Sequence, residues 1–261
     1  MHGERDMSSE REDRLRRLCE ALRELTSGQM GWVEAVVQQF QRPAEFRRLP
    51  VSDVINDCVL QDFGDALRIH HCFSREPFTK DKFEFALERV VNLCGMSAAL
   101  APKGNPGHDI TLNGIRFSLK TQADRSMRSS HLHISKFMEL GRGKWGDEES
   151  DLAGLRDQFL QHMASYDRIL SLRLLSRQGE QWHYELVEIP KVVLEEVRDG
   201  RLRMNHRSRQ FPKPGYCYVT DTMGNSKFQL YFDGGTERKL QIQKLAKAYC
   251  IVHAEWVFEA G

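Results

Sequence analysis

An acidic and a basic side chain, Asp109 and Lys120, lie close together in a stretch of sequence that has the pattern of a β-hairpin. If the chain turns where that pattern indicates, Lys120 is a diagonal cross-strand neighbour of Asp109, within reach of a long side chain. A carboxylate can bind a divalent cation, and an adjacent ammonium group can offset negative charge or exchange a proton. The pair therefore has the side chains required for metal-dependent hydrolysis of a phosphodiester.

The turn is specified by Asn113 and the glycine that follows it, the strongest short signal for a two-residue type I′ hairpin turn. Apolar residues alternate with polar residues on both sides of the turn, as in strands with one apolar face. A two-residue turn pairs Leu112 with Ile115 and places Asp109 opposite Ser118. The polar face of the hairpin then carries Asp109, Thr111, Arg116, Ser118 and Lys120.

The order Asp-x8-Ser-x-Lys is similar to the PD-(D/E)xK signature of metal-dependent nucleases, with one departure. The position two residues before the lysine is acidic in that signature, and here it is Ser118. A structural hairpin with an ion pair across its turn has the same spacing. The pattern alone therefore leaves a catalytic and a structural interpretation open.

The composition is typical of a globular protein, since 29% of the 261 residues are charged and 40% are hydrophobic. No run of about 18 apolar residues is present, so we expect no transmembrane helix and no membrane association. The highly charged start of the sequence lacks the apolar centre of a secretory signal. The six cysteines are scattered without a C-x-x-C pair, which predicts reduced thiols in a cytoplasmic protein.

The basic residues are concentrated in two segments although the formal net charge is only +1. Residues 103–145 contain eight Lys or Arg against three acids, and residues 198–247 contain eleven against four. Basic segments on either side of an acidic site suit a protein that follows a phosphate backbone. A solvated charged surface gives the same counts, so charge alone does not separate the two interpretations.

The order of helix and strand signals predicts an α/β (α+β) fold in which helices flank a mixed central sheet. We expect a helical segment over residues 1–50, partly disordered over residues 1–12, and a core over residues 51–261. Capping residues predict helices that start after Ser8 or Ser9, after Ser52 (interrupted at Gly64) and after Thr79. The last 50 residues read as consecutive short strands.

Nine stretches of sequence between about Ile55 and Phe258 are specific enough to indicate a family. They are FGD at Phe63–Asp65 with His70-His71, Phe83-Glu84, NPGHDIT at Asn105–Thr111, LKT at Leu119–Thr121, SKFMELGRGKW (with differences) at Ser135–Trp145, LVEIPK at Leu186–Lys191, PKPGY at Pro212–Tyr216, YFDGGTERKLQI at Tyr231–Ile242 and CIVH at Cys250–His253. On these stretches the chain resembles the type II restriction endonucleases of the SmaI family, and the first 50 or so residues match poorly.

This resemblance implies a restriction-endonuclease-like core that makes Mg²⁺-dependent double-strand breaks in DNA at the palindrome CCCGGG. It also implies a bacterial cytoplasmic protein and a cognate DNA methyltransferase that shields the host's own sites. A palindrome cut on both strands calls for a homodimer with two active sites. Leu15, Leu18 and Leu22 on the first helix could form its interface or pack on their own core.

The resemblance also assigns roles within the site. Asp109 becomes a metal ligand and Lys120 the group that orients or deprotonates the attacking water. Some nucleases of this kind have Ser-x-Lys and bring the missing acid from a nearby helix, which favours Glu84 as the second ligand. The alternatives for that second carboxylate are Asp124 and Glu139. The backbone carbonyl of Leu119 is a further expected metal ligand, and Ser118 could hydrogen-bond a metal-bound water.

A recognition site made only of G·C pairs favours Arg or Lys on the guanine edge in the major groove. Candidates for this role are Arg238, Lys239, Arg142 and Lys144, and either Glu237 or Asp233 could accept from cytosine. Lys136 and Lys213 are expected to contact phosphates, which position the protein without specifying sequence.

Two other functions stay open at this point. One is a nuclease of different specificity, such as a nickase that acts as a monomer and cuts one strand. The other is a sequence-specific DNA-binding protein with impaired catalysis, which is suggested by Ser118 in the acidic position. Cleavage of one strand would indicate the first alternative, and binding without cleavage the second.

Overall fold

The structure is a computed structural model that describes residues 2–102, 104–105, 107–123, 128–141 and 145–260. The helices are α1 (His2–Arg23), α2 (Ser27–Gln41), α3 (Asp57–Phe73), α4 (Lys80–Leu93), α5 (Glu149–Met163) and α6 (Lys191–Glu195). The strands are β1 (Ala44–Arg48), β2 (Ala98–Leu100), β3 (Ile110–Leu112), β4 (Ile115–Gln122), β5 (His131–Glu139), β6 (Arg168–Gln178), β7 (Gln181–Glu188), β8 (Arg201–Met204), β9 (Gly215–Thr220), β10 (Ser226–Phe232), β11 (Lys239–Ala246) and β12 (Ile251–Glu259).

The strands form two sheets. The first is the mixed central sheet that we expected, and the second was not predicted. The seven-stranded sheet has the order β1-β12-β7-β6-β4-β3-β2 and is mixed, since β4 and β6 are parallel and the other pairs are antiparallel. The five-stranded sheet, in the order β5-β11-β10-β9-β8, is antiparallel. The predicted α+β fold with a mixed central sheet and flanking helices is confirmed.

Both faces of the seven-stranded sheet are buried, which explains why its central strands β6 and β7 carry apolar side chains on both faces. On one face Leu170 and Leu186 pack in a cluster with α3 and α4. On the other face Ile169 and Val187 pack in a cluster with α5 and the five-stranded sheet. Side chains alternate between the two faces of a strand, so successive residues of β6 and β7 enter different clusters. The second sheet is therefore a layer over the first.

The N-cap of helix α3 is Asn56 and not Ser52 as expected. The Asn56 side chain accepts a hydrogen bond from the N–H of Val59 at 2.8 Å. Gly64 lies inside this helix and does not interrupt it. A Cβ atom at Gly64 would stand 2.4 Å from the Phe46 ring and 2.7 Å from the Trp256 ring. The glycine is therefore required for close packing of α3 on the sheet. The predicted start of α4 directly after Thr79 is confirmed.

The N-terminal segment differs from the expectation in two ways. Helix α1 begins at His2, where the sequence predicted disorder and a cap at Ser8 or Ser9. Strand β1, which was not predicted, pairs with β12 in the register Phe46 to Trp256. Leu15 and Leu18 are 51% and 54% exposed, so these two side chains do not pack on the protein's own core. No helix in the described ranges is long and apolar enough to span a bilayer.

The prediction that all cysteines are reduced is wrong for one pair. Cys58 and Cys94 form a disulfide across 36 positions, with their Cα atoms 5.8 Å apart. The pair exists because the first turn of α3 lies beside the end of α4, and no sequence motif marks that contact. The free cysteines are Cys217, which is buried, Cys72 and Cys250, which are half-buried, and Cys19, which is exposed.

A buried ion pair joins three neighbouring strands on one rung of the seven-stranded sheet. Gln122, Arg173 and Glu185 are register partners on β4, β6 and β7. Arg173 donates to Glu185, to the Gln122 amide oxygen at 3.1 Å and to the carbonyl of His131 at 2.7 Å. Lys247 donates to the other oxygen of Glu185 at 2.9 Å. Every charged atom of this rung therefore has a partner.

Candidate active site

The hairpin that carries the predicted site has the predicted register. Asn113 and Gly114 have φ values of 47° and 84°, in the left-handed region that a type I′ turn requires. Leu112 pairs with Ile115, and the N–H of Asp109 donates to the carbonyl of Phe117 at 2.8 Å. The turn therefore brings Asp109 beside β4 at the position that the sequence indicated.

The two oxygens of Asp109 have different hydrogen-bond partners. Oδ2 accepts from the backbone N–H of Leu119 at 2.6 Å and from the Ser118 hydroxyl at 3.2 Å. These two bonds hold the carboxylate in a single orientation against β4. Oδ1 accepts from Lys80 Nζ at 2.8 Å, a side chain of another element.

Lys120 is buried behind this carboxylate. The residue is 8% exposed, its Nζ donates to the Ser118 hydroxyl at 3.0 Å, and it lies 5.2 Å from the centre of the Phe137 ring. Burial lowers the pKa of Lys120 to about 8, although the nearby charge of Asp109 acts in the opposite direction. An amine with this pKa is partly neutral near pH 8, so it can accept a proton.

Glu84 on α4 lies on the same side as Asp109, and one lysine connects them. Lys80 Nζ is 3.1 Å from Glu84 Oε1 and 2.8 Å from Asp109 Oδ1. Of the two phenylalanines that flank Glu84, Phe83 is buried and Phe85 is exposed. The structure therefore brings Asp109 and Glu84 to one point, where a positive charge already lies between them.

Lys80 is the site residue that sequence reasoning missed. It is the first residue of α4 and lies one turn before Glu84, a spacing that commonly gives an ion pair. That spacing was the available signal for its contact with Glu84. Its contact with Asp109 depends on how α4 packs against the hairpin, which no local pattern specifies.

The donor set suits Mg²⁺, which prefers oxygen ligands and is usually held by one or two carboxylates. Asp109 Oδ1 and Glu84 Oε1 both contact a single cationic atom, Lys80 Nζ, so two carboxylate oxygens already surround one cation-sized position. Leu119 lies beside this position, since its N–H donates to Asp109. Its carbonyl as a ligand stays a prediction.

The alternative carboxylates have different surroundings. Glu139 is exposed at the end of β5 and forms an ion pair with Lys136 at 2.8 Å. Asp124 lies outside the described residues, so its position relative to Asp109 is not known.

A cleft of about 420 Å³ opens beside the catalytic candidate Lys120. Three lysines line it, Lys80, Lys120 and Lys136, together with polar groups from Thr121 and Ser135. Three cationic side chains on one wall favour an anionic ligand, and the spacing of a polyanion such as DNA would let it contact more than one of them.

Two candidates for base reading, Arg238 and Lys239, lie at the loop between β10 and β11. Arg238 has a φ of 43° and lines a second cavity of about 510 Å³ with Gln210 and Thr236. Lys239 forms an ion pair with Glu237 at 3.2 Å. Arg142 and Lys144, the other two candidates, lie outside the described residues.

Other polar groups of this region are held within the loops. Asp233 accepts from the N–H of Gly235 at 3.0 Å, and Lys213 Nζ donates to the Ser208 carbonyl at 2.5 Å. One of the three N–H donors of the Lys213 ammonium group is therefore used within the loops. A Cβ atom at Gly234 would stand 2.0 Å from the Pro212 carbonyl oxygen, so glycine is needed where the two loops meet.

Comparison with known proteins identifies the family of this chain. The family model SmaI, described as type II site-specific deoxyribonuclease, matches residues 18–258. The chain belongs to the SmaI family of type II site-specific deoxyribonucleases. The match to this family begins well before Ile55, where the resemblance in the sequence motifs begins.

One relative and one solved structure are similar to this chain to very different degrees. The type II restriction enzyme SmaI of Serratia marcescens is 45% identical to this SmaI-family chain over 207 residues, which are 79% of this chain and 82% of that protein. A solved restriction endonuclease in complex with substrate DNA is 13% identical, covers 66% of this chain and 67% of its own, and has a TM-score of 0.33.

Proposed function

We propose that this deoxyribonuclease is a Mg²⁺-dependent restriction endonuclease that cuts both strands of DNA at CCCGGG. The observation that carries this proposal is the family match over residues 18–258. The relative that is 45% identical is named type II restriction enzyme SmaI, and its match spans 79% of this chain. The hairpin that carries Asp109 and Lys120 lies inside both the matched residues and the motifs that suggest this target.

Each side chain of the site has a role in this proposal, in the manner of the PD-(D/E)xK nucleases. Asp109 and Glu84 would bind Mg²⁺, which when bound lowers the pKa of its water and offsets charge on the phosphate. Lys120 would hold the attacking water and accept its proton, since its pKa is about 8. Ser118 bridges Asp109 and Lys120, so it positions both groups in place of the missing acid.

A homodimer would supply one active site for each strand of the palindrome. The exposed leucines of α1, Leu15 and Leu18, support an interface on this helix, because about half of each residue's surface is left uncovered by the described part of the chain. A cognate methyltransferase in the same bacterial cytoplasm would protect the host's sites. Analytical ultracentrifugation of the protein and of a Leu15→Ser/Leu18→Ser variant tests the interface, and an unchanged sedimentation coefficient would argue against it.

The decisive experiment uses a supercoiled plasmid with one CCCGGG and a matched plasmid in which one base pair of that hexamer is changed. We expect linear product from the first plasmid in Mg²⁺, and none in EDTA or from the second plasmid. Sequencing of the ends gives the cut position. Open-circular product would instead support a nickase, and a gel shift without cleavage would support a DNA-binding protein with impaired catalysis.

A further inference from the structure

A lysine occupies the point at which the two acidic side chains of the site converge. Lys80 Nζ lies 2.8 Å from Asp109 Oδ1 and 3.1 Å from Glu84 Oε1. Both carboxylates are mostly buried, with 18% and 19% of their side chains exposed, whereas the Lys80 side chain is 40% exposed. The acids are therefore held in place by the fold, and the lysine reaches them from the open side.

Asp109 can offer a cation only one oxygen. Its Oδ2 already accepts two hydrogen bonds, from the Leu119 N–H and the Ser118 hydroxyl. Oδ1 is left for any further ligand, and Lys80 donates to that same atom. A divalent cation and the Lys80 ammonium group would therefore compete for one oxygen atom, and two positive charges cannot share it without strong repulsion.

The side chain of Lys80 has space to move into if a cation displaces it from the two carboxylates. It lines the cleft of about 420 Å³ together with Lys120 and Lys136. Its four-carbon side chain is flexible, so the ammonium group can swing toward the cleft while α4 stays in place. Asp109 and Glu84 do not have this freedom, because their side chains are largely enclosed.

We propose that Lys80 is an internal counter-ion, which occupies the metal-binding position of the metal-free protein and must be displaced before a divalent cation binds. This inference rests on the proposed metal-dependent activity. It makes Lys80 a residue that sets metal affinity, in addition to the residues that hold the metal. In the absence of metal, the lysine stabilises two carboxylates that would otherwise face each other unpaired.

The test measures Mn²⁺ binding to the full-length protein without DNA, by electron paramagnetic resonance of the free ion. Mn²⁺ is used because it is also a hard cation that suits carboxylate ligands. Lys80→Gln and Lys80→Met remove the competing charge and keep most of the side chain. Both variants should bind Mn²⁺ about tenfold more tightly than the wild type, which corresponds to about 1.4 kcal/mol.

Two further variants act as controls. Lys136→Gln removes a lysine from the wall of the same cleft, but Lys136 pairs with Glu139 and not with the site carboxylates. It should leave Mn²⁺ affinity within about twofold of the wild type, a shift that long-range charge effects can cause. Asp109→Asn removes the ligand itself and should abolish binding, alone or combined with Lys80→Gln.

The outcomes separate this inference from the proposed function. Equal Mn²⁺ affinity in wild type and both Lys80 variants, with binding lost in Asp109→Asn, would overturn the role of Lys80 and leave the metal site standing. No Mn²⁺ binding in any of these proteins would overturn the metal site itself. Weaker binding in both Lys80 variants would also overturn the inference, since it would mean that Lys80 supports the metal.

Thermal unfolding gives an independent readout. In EDTA the Lys80→Gln variant should unfold at a lower temperature than the wild type, because Asp109 and Glu84 lose the charge between them. Saturating Mn²⁺ should raise its midpoint by more than it raises that of the wild type, because binding that is specific to the folded state stabilises it. An equal midpoint in EDTA, together with an equal response to Mn²⁺, would contradict the counter-ion role.

Discussion

Two rungs of the seven-stranded sheet, two residues apart along β4, carry buried charged side chains. They differ in how many of their possible hydrogen bonds are made. In the rung of Gln122, Arg173 and Glu185, each charged atom has a hydrogen-bond partner. In the neighbouring rung, Lys120 has Ser118 as its hydrogen-bond partner, and the hydroxyl of its register neighbour Ser171 is buried with no partner. Burial and charge are common to both rungs, so the difference lies in unused bonding capacity.

This difference in hydrogen bonding distinguishes charged groups that support the fold from charged groups that can take part in a reaction. A buried ion pair with complete hydrogen bonding is fixed, and it has no capacity to bind another group. The site keeps Lys120, an amine with a lowered pKa, and an Asp109 oxygen whose partner is the partly exposed Lys80. Groups of this kind can take up a metal ion, a water molecule or a proton. Incomplete bonding beside a cleft is therefore the feature that points to function here.

The largest expected effect is the loss of cleavage when the negative charge of the Asp109 carboxylate is removed. Asp109→Asn keeps the shape of the side chain but removes its charge, and the cleavage rate should fall about 10³-fold, as expected when a key electrostatic group is removed. Plasmid cleavage under single-turnover conditions measures this rate. Binding to the same DNA in Ca²⁺, measured by gel shift, should be largely retained. A rate near that of the wild type would show that Asp109 is not a metal ligand.

Substitutions in the rung of Gln122, Arg173 and Glu185 should instead lower the free energy of unfolding. Arg173→Met leaves Glu185 buried with part of its charge uncompensated, and the free energy of unfolding should fall by about 4 kcal/mol. Urea denaturation measures this change, and the cleavage rate of the remaining folded protein should not change. The double variant Arg173→Met/Glu185→Leu should recover part of the loss. Ser171→Ala is the matched control, because it removes a hydroxyl without a partner and should cost less than about 0.5 kcal/mol.

Removing the buried amine should affect the reaction more than the fold. Lys120→Met keeps the apolar contact with Phe137 but cannot accept a proton, so the cleavage rate should fall about 10²-fold. The free energy of unfolding should stay the same or rise, because a desolvated charge has been removed. A variant that loses stability in proportion to activity would place Lys120 with the structural charges.

The smallest effect is expected at the second carboxylate. Glu84→Gln should raise the Mg²⁺ concentration for half-maximal cleavage about tenfold, because one charged ligand becomes neutral. Measuring the cleavage rate over a Mg²⁺ series tests this, with Glu139→Gln as the control for the alternative carboxylate. If the Glu139 variant shifts the Mg²⁺ requirement and the Glu84 variant does not, the assignment of the second ligand is wrong.

Sequence reasoning succeeded where structure is decided by neighbours in the chain. The two-residue turn at Asn113 set the register of the hairpin, and that register placed Asp109 beside Ser118 and Leu119. The start of α4 after Thr79 was also predicted, because helix N-termini are marked by local residue types.

The features that were missed depend on contacts between distant segments. The division into two sheets follows from the pairing of β5 with β11, and the Cys58–Cys94 disulfide follows from the packing of α3 on α4. Lys80 was missed for the same reason, because its contact with Asp109 joins a helix to the hairpin. None of these contacts leaves a pattern within a short window of sequence.

The pairing of β1 with β12 has a consequence for the order in which the protein assembles. Phe46 and Trp256 are register partners although they are separated by most of the sequence, and β12 is also the strand that joins β1 to β7. During synthesis on the ribosome, β1 emerges early and has no strand to join until β12 emerges. Contacts of this separation slow folding. The seven-stranded sheet, and with it the rigid support under the site, can therefore be completed only after nearly all of this sequence has been translated.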